Sequence, residues 1–318
     1  MARPSIKVEQ FFKEHGASLQ MRLVAGNGGM GRIIREPTVN RPGLALSGFT
    51  RYFAYKRVQV FGNAEVYYLR SLPRDEREAR YADLFACKIP CIVFSRGMRP
   101  DKEFLAAAEK AGVPIFQSQL VTMKFINLAT LELEMMFAPR GMEIGSMVDI
   151  LGVGVLIRGD SGMGKSEAVL GLIERGYSLV SDDVTRVMLV GGHDVIGTSV
   201  EVTRNHMEIR GIGIINVASM FGVKSICPEK SLDLVVTLKA WDQVPDMERL
   251  GLEQEFVKIL GVDISHIVIP VQLGRDLARL IEVAAYQTKL KKSGYNAAQE
   301  LNDRLIAKMT SVNPPPAK

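Results

Sequence analysis

Cysteine is scarce, with three in 318 residues. Cys87 and Cys91 enclose Lys-Ile-Pro and Cys227 stands far away, so no second ligand pair completes a zinc site and no disulfide framework is implied. The four histidines, His15, His193, His206 and His266, are dispersed and make neither a metal nor a triad pattern. His206 is of interest only because it lies two residues from Glu208. Long apolar runs are missing too: none approaches the ~20 residues of a membrane span. The first residues, MARPSIKVEQFFKEHG, lack the apolar stretch of a secretory signal and read as an amphipathic helix. A cytoplasmic location without a membrane partner is expected. Charge of one sign is not concentrated either: 40 Lys and Arg interleave with 35 Asp and Glu for a net +5. The densest basic run, Lys289, Lys291 and Lys292, ends a predicted helix, where cations meet the negative end of the dipole. That pattern describes a solvated surface, not a nucleic-acid footprint.

What the chain does have is GDSGMGKSEAV at 159–169. Gly159, four intervening residues (Asp160, Ser161, Gly162 and Met163), then Gly164, Lys165 and Ser166 satisfy the P-loop pattern at each fixed position. The glycines open backbone conformations closed to other residues, so successive N–H groups can point at phosphate oxygens at the positive end of the following helix. Lys165 would reach the β- and γ-phosphates of ATP, and the Ser166 hydroxyl would ligate Mg²⁺. The flanks agree: 152–157 is a buried-strand type run, and 166–175 is a helix pattern stopped by Gly176.

The rest reads as α/β. The first third alternates short apolar runs (58–61, 91–94, 113–116) with a helix pattern over 101–111, which implies a small α/β domain with partly parallel pairing. A connecting helix over 125–136 is ended by Pro139 and Gly141. The expected layout is an N-terminal α/β domain at 1–136, a P-loop kinase domain at 137–311, and a disordered proline-rich tail at 312–318. In the second domain 177–181 is a predicted strand, and 195–202, 212–217 and 234–238 are β-rich. Helices are predicted at 276–293 and 296–309, the first with an apolar stripe of core or subunit-contact type.

Three features could carry chemistry beside the loop. Asp182 and Asp183 follow a predicted strand, 17 and 18 residues after Lys165. Phosphoryl transfer needs an acidic partner for the metal or a carboxylate that accepts the attacking hydroxyl's proton. One of the pair can face the nucleotide while the other braces the loop; a turn carrying two solvated acids is the plain alternative. Glu208, in MEIRGIGIIN (207–216), is a candidate second Mg²⁺ ligand or a structural acid. Arg249 could neutralise charge on the moving phosphoryl, or be one more arginine in a charged loop.

Together these motifs resemble the HPr kinase/phosphorylase family, whose members phosphorylate a serine of HPr, the phosphocarrier of the sugar phosphotransferase system. Many also remove that phosphate by phosphorolysis. The resemblance runs through RPGLALSGF (41–49), GVGVLIRGDSGMGKSE (152–167), LVSDD (179–183), EIRGIGIIN (208–216), RLGL (249–252), IEVAA (281–285) and GYNAA (294–298). It implies that 159–166 bind ATP, with Ser166 and Glu208 on Mg²⁺. Lys165, Asp183 and Arg249 would be catalytic, with Asp183 accepting the serine proton. It further implies an HPr-like protein substrate, a nucleotide core like that of phosphoenolpyruvate carboxykinase, and a homohexamer.

Two positions depart from the family pattern. Where the family has a histidine 21 residues before the P-loop lysine, this chain has Ile144, which neither donates a hydrogen bond nor carries charge. Arg140 or Glu143 could stand in. The Val-x-Pro-Gly-Arg loop is VQLGR (271–275), so proline's fixed φ is lost at Leu273. Kinase activity is therefore expected to survive and phosphorolysis to be weak or absent. A small-metabolite kinase, a nucleotide-gated ATPase and a non-catalytic nucleotide-binding module are the competing readings.

Overall fold

The computed structural model describes residues 5–244, 254–272 and 274–312. The chain divides after Ala138 into two compact units. Of the tail expected to be disordered at 312–318, Val312 is instead the last residue of a helix that starts at Ala297, and residues 313–318 lie outside the described residues.

The first unit is a five-stranded sheet built from β1 (Met21–Ala25), β2 (Val39–Asn40), β3 (Val58–Phe61), β4 (Ile92–Phe94) and β5 (Ile115–Ser118), in the order β1-β5-β4-β3-β2. Strands β2 to β5 are parallel and β1 joins antiparallel at the edge. Parallel pairing requires crossovers, and the helices supply them on both faces. On one face α1 (Val8–His15) and α5 (Thr122–Phe137) cover Val58, Val60, Val93 and Phe116. On the other, α2 (Asn63–Ser71), α3 (Arg74–Ala86) and α4 (Lys102–Ala111) cover Phe61, Ile92, Phe94 and Ile115. The period-two split along each strand is why so short a sheet is buried on both sides. Helix α4 has the signals its sequence carries: the Asp101 carboxylate accepts from Phe104 N–H, and Gly112 ends it at φ 59°. The strand expected over 113–116 begins later, at Ile115, because Val113 N–H still bonds to Ala108 in the helix ending.

The second unit is a nine-stranded sheet. Its strands are β6 (Arg140–Ile144), β7 (Ser146–Ile150), β8 (Val153–Gly159), β9 (Ser178–Ser181), β10 (Val184–Val190), β11 (Asp194–Ser199), β14 (Glu229–Ala240), β15 (Glu255–Ile259) and β16 (Val262–Val271). A separate ribbon is formed by β12 (His206–Ile209) and β13 (Gly213–Asn216). The long strand β14 pairs parallel with β8 on one side. On its other side its first residues pair with β11 and its later ones run parallel to β16. Strand β8 alternates between two cores. Val155 and Ile157 meet α6 (Lys165–Glu174) and α7 (Leu277–Lys292), whereas Leu156 meets Met147, Val180, Val195 and Val235. Stripe residues Ile281, Ala284 and Ala285 are buried in the first of these, so that face of α7 is core. The last helix, α8, is Ala297–Val312. The stretch read as β-rich over 195–202 is a shorter strand than expected: β11 stops at Ser199 and a helical turn at Glu201–Thr203 follows. No helix among the described residues is long and apolar enough to cross a membrane.

One feature of this sheet positions the site. Strand β6 runs into β7 through Gly145 alone, and β9 runs into β10 through Asp182 and Asp183. Because β7 pairs with β9 and β6 pairs with β10, the two chains bend together at a shared corner. The sheet path begins at β9 and ends at β6, so the corner joins its two ends. A Cβ on Gly145 would lie 2.6 Å from the Ile157 carbonyl of β8, and Gly145 has φ 149°, so the bend needs glycine.

Candidate functional site

The P-loop leaves the C-terminal end of β8 and enters α6. Gly162 (φ 89°) and Gly164 (φ 79°) adopt backbone conformations that L side chains disfavour. At Gly159 a Cβ would meet Leu238 of β14 at 3.0 Å. Lys165 Nζ donates to the carbonyls of Gly159 (2.6 Å) and Asp160 (3.1 Å), so the cation lies across the loop mouth. Met163 packs against the hydrophobic core and anchors the loop from below. Asp160 and Ser161 are exposed at its rim.

The corner brings the carboxylates to this loop. Gly145 N–H donates to the Asp183 carbonyl at 2.7 Å, and Val184 N–H closes a three-residue turn on the Asp182 carbonyl at 2.6 Å. Asp183 itself has φ 56°, a left-handed conformation that aspartate and asparagine tolerate better than most residues. The turn breaks strand alternation and sends the two acids to different tasks. Asp182 points into the corner: Oδ1 accepts from the Ser146 hydroxyl at 2.7 Å and Oδ2 from Glu208 N–H at 3.2 Å. Ser146 Oγ also accepts from Asp183 N–H at 3.3 Å. Burial pushes the Asp182 carboxyl above the ordinary aspartate range; the Ser146 bond pulls it back, and the Asp183 charge adds to the rise. Asp183 is exposed, on the wall of a cleft.

That cleft has a volume of about 440 Å³ and is lined by Gly159, Lys165, Ser166, Asp183, Glu208 and Arg210 among others. Glu208 comes from ribbon strand β12, and Arg210 of the same ribbon bonds the Ser161 hydroxyl of the loop. Thus loop, corner and ribbon, far apart in sequence, share one cavity. The donor set fits a Mg²⁺–nucleotide: Ser166 and Glu208 offer hard oxygens. Among the described residues no group of three or more His, Cys, Asp or Glu could hold a metal alone. Mg²⁺ completes its shell with phosphates and water, so such sparse protein ligation suits it.

Glu143, one of the two candidates to stand in for the missing histidine, has its carboxylate engaged by Arg158. His206 bonds the Arg204 carbonyl through Nδ1 and the Asn216 amide through Nε2, so both ring nitrogens are engaged beside the ribbon. Arg249 and Leu273 lie outside the described residues. Ile144 does line the cleft, 79% exposed. Sequence reasoning assigned no role to Ser146 or Arg210. Arg210 could have been suspected from its alternation with Glu208 along a strand, whereas nothing local marks Ser146.

Comparison with known proteins spans most of the chain. The family model described as HPr Serine kinase C-terminal domain matches residues 135–305, and that of the HPr Serine kinase N terminus matches 6–133. The chain belongs to the HPr kinase/phosphorylase family. It is 38% identical over 307 residues to the HPr kinase/phosphorylase of Leptospira biflexa serovar Patoc, covering 96% of this chain and 95% of that protein. It is 40% identical over 305 residues to that of Geobacter sulfurreducens, covering 96% of each. With that of Lachnoclostridium phytofermentans it shares 43% identity over 272 residues, 86% of this chain and 88% of the relative.

Proposed function

We propose that this protein transfers the γ-phosphoryl group of ATP to a serine of an HPr-like phosphocarrier protein. The observation that carries this reading is the Asp183 carboxylate on the wall of the cleft that also holds Lys165 and Ser166. In the forward reaction Asp183 takes the proton of the serine hydroxyl as its oxygen bonds to phosphorus. The bond from phosphorus to the bridging oxygen breaks and ADP leaves. Lys165 holds negative charge spreading over the phosphoryl oxygens, with Arg249 as a second cation by family resemblance. Ser166 and Glu208 would hold Mg²⁺, which when bound neutralises phosphate charge. The backbone N–H groups of 159–166 orient the polyphosphate. Asp182, fixed between Ser146 and the Glu208 backbone, keeps acid and metal ligand in register.

The reverse use, attack of inorganic phosphate on phosphoserine to give pyrophosphate, needs a grip on a second phosphate. Ile144 offers none from its place on the cleft wall, so phosphorolysis is expected to be slow. The family resemblance also supports a nucleotide core like that of phosphoenolpyruvate carboxykinase and a homohexamer.

The test is radiolabelled ATP with purified HPr, using the wild type and Asp183→Asn. Asparagine suits the left-handed backbone, so the variant removes the base without straining the turn. Transfer is expected to fall about 10²–10⁴-fold with ATP binding retained. Undiminished labelling by the variant would refute the assignment. Pyrophosphate release from phosphoserine-HPr as fast as the forward reaction would refute the directional claim.

A further inference from the structure

Two exposed isoleucines stand beside the two working carboxylates. Ile144 lines the cleft at 79% exposure and is the register partner of Val184, the residue after Asp183. Ile214 is 76% exposed and is the register partner of Glu208 on the ribbon. Directly paired residues project from the same face of a strand pair, with Cβ atoms about 5 Å apart. Ile214 therefore shares the Glu208 face, while Met207, Ile209 and Ile215 are buried on the other. The two positions are tied through one chain of contacts. Ile144 leads by way of Gly145 to Ser146, whose hydroxyl bonds Asp182, and Asp182 bonds the Glu208 backbone.

Lone exposed apolar residues are ordinary on a protein surface. Their position here is not ordinary, because polyphosphate and metal gain nothing from an isoleucine beside each carboxylate. An acceptor polypeptide does gain, and each isoleucine it covers removes water from the neighbouring acid, which strengthens the electrostatics there. We infer that Ile144 and Ile214 are acceptor-contact residues: two apolar lips that seat apolar side chains flanking the serine of the protein substrate. This rests on the protein-kinase reading above and deepens it, since it names what the acceptor must present: a serine in an apolar surface segment. It also gives Ile144 a positive role in place of the missing polar one.

The experiment is steady-state transfer from ATP to purified HPr by the wild type, Ile214→Ser, Ile144→Ser and the size-conserving Ile214→Leu. Each serine variant is expected to raise KM for HPr about tenfold, the loss of one modest apolar contact, and Ile214→Leu to restore most of it. KM for ATP should stay within about twofold in all, because neither side chain grips phosphate. The two lips lie on separate elements, so Ile144→Ser tests the claim even if the ribbon variant folds poorly. Unchanged KM for HPr in both serine variants, with labelling by the wild type intact, overturns this inference alone. Failure of the wild type to label HPr overturns the kinase reading, and this inference falls with it. A change in oligomeric state on size exclusion, in step with the serine substitutions, would assign the isoleucines to a subunit contact and overturn it as well.

Discussion

Replacing Ser146 by alanine isolates the brace beneath the two acids. The serine is fully buried; it donates to Asp182 Oδ1 at 2.7 Å and accepts from Asp183 N–H at 3.3 Å. A hydrogen bond to an ionised group contributes about 1.5–3 kcal/mol net, and the longer contact adds little. Alanine introduces no clash, so the loss should be about 2 kcal/mol. In a unit of this size that lowers Tm by roughly 4–8 °C. The loss should also depend on pH. Asp182 titrates above its unfolded value because it is buried. Its contribution therefore favours the folded state at acid pH and declines as pH rises to the folded pKa, above which the cost is constant. The Ser146 hydroxyl favours the charged form, so removing it pushes the carboxyl higher still. The penalty of Ser146→Ala is then full above the folded pKa, where the carboxylate is charged, and shrinks as pH falls through it. Urea unfolding at neutral pH and at mildly acid pH measures both values. A penalty below about 0.5 kcal/mol at neutral pH would refute the brace, since exposed or unused hydroxyls cost no more than that. An equal penalty at both pH values would refute the ionised state of Asp182.

Gly154→Ala would put a Cβ 1.9 Å from the Ser231 carbonyl, inside the ladder between β8 and β14. Overpacking against backbone should cost about 3 kcal/mol, seen as a lowered denaturant midpoint; a wild-type midpoint would contradict the pairing. Cys91 is fully buried and its thiol is pushed up to about 12 by burial. Iodoacetamide at pH 8 should label Cys87 and Cys227 first and Cys91 only on unfolding, as read by peptide mass spectrometry; early labelling of Cys91 would contradict the core of the first unit. Arg210→Ala removes a cation from the cleft and its bond to Ser161. Nucleotide affinity should fall about five- to tenfold in a fluorescent-ATP titration, and an unchanged affinity would place Arg210 outside phosphate binding.

Much of this site was legible in the sequence because its strongest signal is local. The P-loop is a continuous run whose glycines, lysine and serine each have one physical task, so its strand and helix could be read directly. Asp182 and Asp183 were legible as a pair but not as individuals. Which one faces the cleft depends on a three-residue turn and on Gly145, 38 residues upstream of Asp183. Ser146 was invisible for the same reason: its partner Asp182 lies 36 residues away. The strands β6 and β7 were missed because the single glycine between them marks a bend in a closed sheet, and bends of that kind are fixed by distant pairing. Burial patterns of α6 and α7 were readable, since helix periodicity needs no knowledge of the partner.

The corner also limits which acid can serve at position 183. A side chain there starts from a backbone turned the wrong way for most L-residues, and the Gly145 N–H holds it so. Short aspartate accepts that posture; glutamate, one methylene longer, would keep the charge yet strain the turn and overshoot the cleft wall. Selection at this site is thus made by geometry before chemistry, and any lineage or designer seeking a new proton acceptor here must first rebuild the bend.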